Sequence, residues 1–154
     1  MTRNRLTSAA QTKAFALAGN SKITLVSTST GTRFTFKVQA PMNADKTARD
    51  LDADIRFVKV LTGADNENSY SYLGFIRRDV FSHGGAKAKV GFAAPSARAF
   101  AWARQQFVQD RLPEALEVWH EGSCGRCGRK LTVPTSIASG FGPECIDKVG
   151  FICD

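Results

Sequence analysis

Apolar and polar positions alternate with a period of two through much of the chain. Ile23 and Leu25 stand between polar neighbours, and Ser27-Thr28-Ser29-Thr30-Gly31 then supplies turn chemistry. Phe34, Phe36 and Val38 alternate with Arg33, Thr35, Lys37 and Gln39. Such alternation buries one face of a strand and leaves the other to solvent, so it predicts a hairpin whose outer face carries Arg33 and Lys37. A second pair of strands is predicted over 55–61 and 70–77, separated by Thr62-Gly63-Ala64-Asp65-Asn66-Glu67-Asn68, which is dense in turn-forming residues. The charged stretch 41–54 between the two pairs is expected to loop across the surface. A short strand through Val80 and Phe81 is broken by His83-Gly84-Gly85, and residues 116–120 read as a last strand.

Only one segment has a strong helical period. Pro95-Ser96 marks its start, with Ser96 as the expected N-cap, and Phe100, Ala103, Phe107 and Val108 form an apolar stripe before Pro113 ends it. Trp102 lies off the stripe and is expected to cover another part of the sheet. The predicted fold class is α+β, an antiparallel sheet of about four to six strands with one helix packed across a face, followed by a small module in which the Cys-x-x-Cys of Cys124 and Cys127 and the later Cys145 point to zinc binding of treble-clef or ribbon type. The expected divisions are a basic arm over 1–21, a body over 22–116 and the metal module over 117–154. The arm is expected to fray, a short helix around Phe15 being the alternative.

Composition narrows the class. The chain has 154 residues, 43% of them hydrophobic and 23% charged, which excludes wholesale disorder, collagen-like and coiled-coil readings. No apolar run reaches the roughly 18–20 residues that span a bilayer, and Gln11, Thr12 and Lys13 interrupt the N-terminal stretch. A cytoplasmic protein with no membrane partner is therefore expected, and four cysteines then need an explanation other than disulfides. The formal charge is +7. Arg3, Arg5, Lys13 and Lys22 meet no acid in the first 22 residues, whereas the C-terminal segment is balanced. An excess of this size favours polyanionic partners.

The chemistry concentrates near the C-terminus. Cys124 and Cys127 form a Cys-x-x-Cys with Gly125 inside it and Gly128 just after. Two thiolates that share one ion at about 2.3 Å need a tightly folded loop, and glycines supply its backbone angles. Cys145 follows Gly142-Pro143, where proline suits the first turn of a helix and the helix end favours a thiolate. A knuckle plus a ligand at a helix start is the geometry of treble-clef zinc sites. The fourth ligand is expected to be His120, with Cys153 the alternative; outside that role His120 is a strand histidine and Cys153 a small buried hydrophobe. A redox Cys-x-x-Cys is disfavoured by the glycine-rich setting and the lack of a parallel-sheet pattern. A deaminase needs His-x-Glu well upstream of Pro-Cys-x-x-Cys, and a metalloprotease needs His-Glu-x-x-His; neither is present. Four protein ligands leave no open position, so the Zn2+ is read as structural. With no Ser-His-Asp spacing, P-loop or dinucleotide fingerprint, no enzyme and no small-molecule substrate are expected.

Cys124-Gly125-Arg126-Cys127-Gly128-Arg129-Lys130-Leu131-Thr132, then Ser136-Ile137, then Gly140-Phe141-Gly142-Pro143-Glu144-Cys145 resembles an uncharacterised zinc-ribbon-like family of short phage and mobile-element proteins, sometimes fused behind helicase-type ATPases. The resemblance covers roughly residues 117–147. Leu61-Thr62-Gly63-Ala64-Asp65-Asn66 and Tyr72-Leu73-Gly74 resemble, more weakly, a domain that precedes this tail in such proteins. The resemblance implies a zinc site, a phage or prophage setting in the host cytoplasm and a tie to nucleic-acid processing; it supplies no catalytic residues.

Two functions follow. In the first, Arg33 and Lys37 on the sheet, with Arg126, Arg129 and Lys130 on the knuckle, contact DNA or RNA. Tyr70, Tyr72 and Phe141 stack on bases if exposed, although sheet packing for the tyrosines and burial of Phe141 under the knuckle is the plainer expectation. In the second, the protein binds and inhibits or redirects a host enzyme or defence complex.

Overall fold

The computed structural model describes residues 4–65 and 68–149. Its centre is a seven-stranded sheet, with β1 (Arg5–Leu6), β2 (Asn20–Ser27), β3 (Arg33–Gln39), β4 (Ile55–Leu61), β5 (Tyr70–Arg77), β6 (Val80–His83) and β7 (Leu116–His120) in the spatial order β1-β7-β2-β3-β4-β5-β6. Every pairing is antiparallel. β2 to β6 form a meander, and β7 returns after the long helix to lie beside β2. The strand positions follow the alternation, because Ile23, Leu25, Phe36, Val38, Val58, Val60 and Ile76 all point to one buried face. A bulge between Val58 and Lys59 accommodates one extra residue of β5.

The sheet has more strands than the four to six expected, and four α-helices accompany it among the described residues where one was expected, with a second around Phe15 as an alternative: α1 (Ala9–Ala16), α2 (Pro95–Val108), α3 (Pro134–Ser139) and α4 (Pro143–Val149). α2 lays Phe100 against Phe36 and Phe81, with ring centroids 4.8 and 4.9 Å apart. Its buried stripe is Ala97, Phe100, Ala103, Arg104 and Phe107. Val108 instead ends the helix and is 41% exposed. The N-cap is Ala94 rather than Ser96; Pro95 occupies the first turn and Ser96 is buried. Trp102, 46% exposed, borders an apolar groove with Leu25, Phe34, Ala99 and Leu116.

The N-terminal arm is built into the fold. β1 pairs with β7, and Ser8 caps α1 by accepting from the Gln11 N–H at 3.1 Å. Leu6, Phe15 and Ala16 are buried. The expected divisions at 21/22 and 116/117 both fall inside strands, since β2 begins at Asn20 and β7 runs from Leu116 to His120.

Candidate metal centre

After β7 the chain forms a tight knuckle. Ser123 and Lys130 make an antiparallel bridge, the Cys124 N–H donates to the Arg129 carbonyl, and the Gly128 N–H donates to the Cys124 carbonyl, both at 2.8 Å. Gly128 closes the turn at a φ of 81°, where an L side chain would be strained and would also meet Asn20. The knuckle is held on the sheet by the Asn20 N–H donating to the Gly125 carbonyl (2.9 Å), and on the tail by the Gly125 N–H donating to the Gly140 carbonyl (3.0 Å). α3 ends in a left-handed Gly140, and α4 opens at Pro143, placing Cys145 in its first turn.

The sulfurs of Cys124, Cys127 and Cys145 all lie within 4.8 Å of one another. Tetrahedral zinc with bonds of about 2.3 Å holds its sulfurs about 3.8 Å apart, so an ion would draw this group together by less than about 1 Å per pair. Cys124 and Cys145 are buried and Cys127 is exposed. Burial pushes the Cys124 thiol up, but the amides of Cys127, Gly142 and Arg126 and the Cys127 thiol more than reverse this, and its pKa lies below the ordinary value. Cys145 is pushed up to about 11 by burial and by the two neighbouring thiols, against the Arg126 side chain. An Arg126 guanidinium nitrogen sits 3.7 Å from the Cys145 sulfur. Three soft donors, amides aimed at one of them and a cation beside another fit a thiolate-bound metal ion.

His120 does not join this group. It is wholly buried in β7, its Nε2 donates to the Ile137 carbonyl at 2.6 Å, and its Nδ1 accepts the Gly122 N–H at 3.0 Å. Burial lowers its pKa, against the Ile137 carbonyl and Glu121. Both ring nitrogens thus hold the tail, Nε2 at α3 and Nδ1 at the turn after β7, and His120 is not among the clustered ligand atoms. The alternative ligand, Cys153, lies outside the described residues.

The five cations expected to contact nucleic acid fall into two places. Arg126, Arg129 and Lys130 surround the knuckle and, with Lys148, border a cavity of about 350 Å³ that reaches Cys127 and Cys145. Arg33 and Lys37 lie on the opposite, outer face of the sheet; Arg33 is exposed and the Lys37 ammonium rests 4.3 Å over the Tyr70 ring. Tyr70 and Tyr72 are half-buried strand residues, and Phe141 is buried against Phe15 at 5.7 Å. Sequence reasoning missed Lys148, whose place depends on α4 folding back over the knuckle.

Residues 115–150 match the model of a family of unknown function (DUF6011), which spans β7, the whole knuckle, α3 and α4. No curated protein and no solved structure matches the chain. No helix among the described residues is long and apolar enough to cross a membrane.

Proposed function

We propose that this chain is a non-enzymatic nucleic-acid-binding protein of the phage or mobile-element kind, whose C-terminal tail is clasped by a structural zinc ion. The observation that carries the reading is the convergence of the Cys124, Cys127 and Cys145 sulfurs within 4.8 Å, ringed by Arg126, Arg129 and Lys130. Bound zinc would supply a cross-link between the knuckle and α4 rather than reaction chemistry. Cys153 is the fourth ligand in this reading, because His120 already spends both ring nitrogens and Cys153 is the remaining cysteine. The surrounding guanidinium and ammonium groups then offer phosphate contacts on a rigid loop, with affinity dominated by counterion release.

Metal analysis of the purified protein is expected to find about one equivalent of zinc. Replacement of Cys124 or Cys127 by Ser should abolish it, and Cys153→Ser should weaken its retention against a chelator. A metal-free protein in which Cys124 and Cys127 cycle between dithiol and disulfide would overturn the metal assignment. Binding to oligonucleotides should fall steeply from low to moderate salt; failure to retain any nucleic acid at low salt would sink the polyanion assignment. The apolar groove under Trp102 favours a second reading, a protein-binding module directed at a host enzyme, which capture of that enzyme after nuclease treatment would support in place of the first.

A further inference from the structure

The cavity between the knuckle, α3 and α4 has a wall that a metal ion does not need. Arg126 stands beside the Cys145 sulfur, but Arg129, Lys130 and Lys148 enter no ion pair among the described residues. Glu144, one turn before Lys148 on α4, is spaced to pair with it, yet it too has no such partner. Three cations against one carboxylate leave an excess of positive charge around one concave space. Like charges gathered in this way repel one another, so folding alone does not call for them.

A hydroxyl on the same cavity also lacks a partner. Ser136 of α3 is 7% exposed, and its side-chain oxygen makes no hydrogen bond among the described residues. Its backbone carbonyl, by contrast, accepts from the Gly140 N–H and the Ser139 hydroxyl. Buried polar side chains nearly always find a partner, and the space that this one borders is the cavity. The remaining wall is apolar, formed by Leu131, Val133 and Pro143. At about 350 Å³ the cavity lies at the small end of the roughly 300–1,000 Å³ that holds a small molecule, more room than a bare inorganic anion fills.

We propose that this cavity binds a nucleoside phosphomonoester, with Arg129, Lys130, Lys148 and the Ser136 hydroxyl on the phosphate and the nucleoside against Val133 and Pro143. The inference rests on the nucleic-acid reading above, since it takes the phosphorylated end of a strand as the source; a free mononucleotide offers the same chemistry. A phosphomonoester carries about −1.5 to −2 charge at pH 7 and three strong acceptor oxygens. A phosphate inside a strand is a diester with a single charge. Converging cations and a hydroxyl donor therefore favour the terminal group over an internal one. Glu144, on the same cavity, disfavours a second phosphate beside the first.

The test is fluorescence anisotropy of the full chain at low salt with oligo(dT) carrying an internal dye and a 5′-phosphate, a 3′-phosphate or neither. At neutral pH a phosphate at one of the two ends should tighten binding at least about tenfold. That preference should shrink toward parity at about pH 5, below the second phosphate pKa of about 6. Arg129→Gln, Lys148→Gln and Ser136→Ala should each cut the preference at least about threefold. Because the preference compares two ligands on one variant, a general loss of affinity does not imitate it. On the unmodified protein, thymidine monophosphate should shift the amide resonances of residues 129–136 and 143–148. Displacement of the phosphorylated strand by an equal concentration of that mononucleotide, or amide shifts without binding of any strand, would keep the site but overturn the strand end as its source. Equal binding with and without a terminal phosphate, or amide shifts confined to other surfaces, would overturn this inference while leaving the nucleic-acid reading intact. No oligonucleotide bound at low salt and no amide shift would remove both.

Discussion

His120 is a buried histidine with a complete set of hydrogen bonds, and its worth can be measured separately from metal binding. His120→Leu leaves the Ile137 carbonyl and the Gly122 N–H without their partners, at a cost of about 2–4 kcal/mol in urea unfolding. The zinc content of that variant should remain at its wild-type level; loss of the metal would return His120 to the ligand set. The pH dependence has a definite sign. Burial favours the neutral ring, so the folded-state pKa lies below the ordinary 6.5, and the unfolded chain takes up the extra proton first. Stability should therefore fall as pH drops below about 6.5, and this part of the slope should be absent in His120→Leu. The three clustered cysteines were legible in the sequence because ligand spacing and glycine placement are local. The partners of His120 were not legible, because its sequence proximity to Cys124 says nothing about Ile137, a residue of α3 whose carbonyl accepts from the ring.

Among the elements, α1 joins β7, the knuckle and the tail through a single ring. Phe15 meets His120 and Phe141 at ring separations of 5.6 and 5.7 Å, and its ring fills the space beside both Gly125 and Gly140. A Cβ on either glycine would come within 2.7 Å of that ring. Phe15→Ala is expected to cost about 3–5 kcal/mol. Gly125→Ala should destabilise the wild type, and its cost should shrink in a Phe15→Leu background. Strict additivity within about 0.5 kcal/mol in that double-mutant cycle would show that the two residues do not press on each other. The hairpins β2–β3 and β4–β5 were readable because burying one face imposes a period of two. α1 was readable only as the alternative to a frayed arm, since its buried side includes Gln11 and Thr12, whose partners are the carbonyls of Ala138 and Ser8. β1 consists of Arg5 and Leu6 alone, too short to carry any period, and exists as a strand because β7 offers it an edge.

At the scale of the molecule, the metal centre and the sheet share a frame. β7 runs directly into the knuckle, Asn20 at the start of β2 holds the Gly125 carbonyl, Gln11 of α1 donates to the Ala138 carbonyl of α3, and His120 holds Ile137. These ties join residues far apart in sequence, which is why strand order and the seat of the tail were not legible from local pattern. They also determine how the protein should respond to metal removal. A tail that hung from the body by one linker would melt alone on chelation and leave the body transition in place. Here the loss of the ion would free the knuckle that braces β2, α1 and α3 together, so the cost must be felt by the sheet. Calorimetry of the full chain with and without a zinc chelator should therefore show one transition in both states, moved to lower temperature without metal. A loss of about 3 kcal/mol corresponds to a shift of about 6–12 °C for a domain of this size. Two separate transitions, with the upper one unmoved by chelator and followed by the fluorescence of Trp102 and Trp119, would mean that the clasp serves the tail alone.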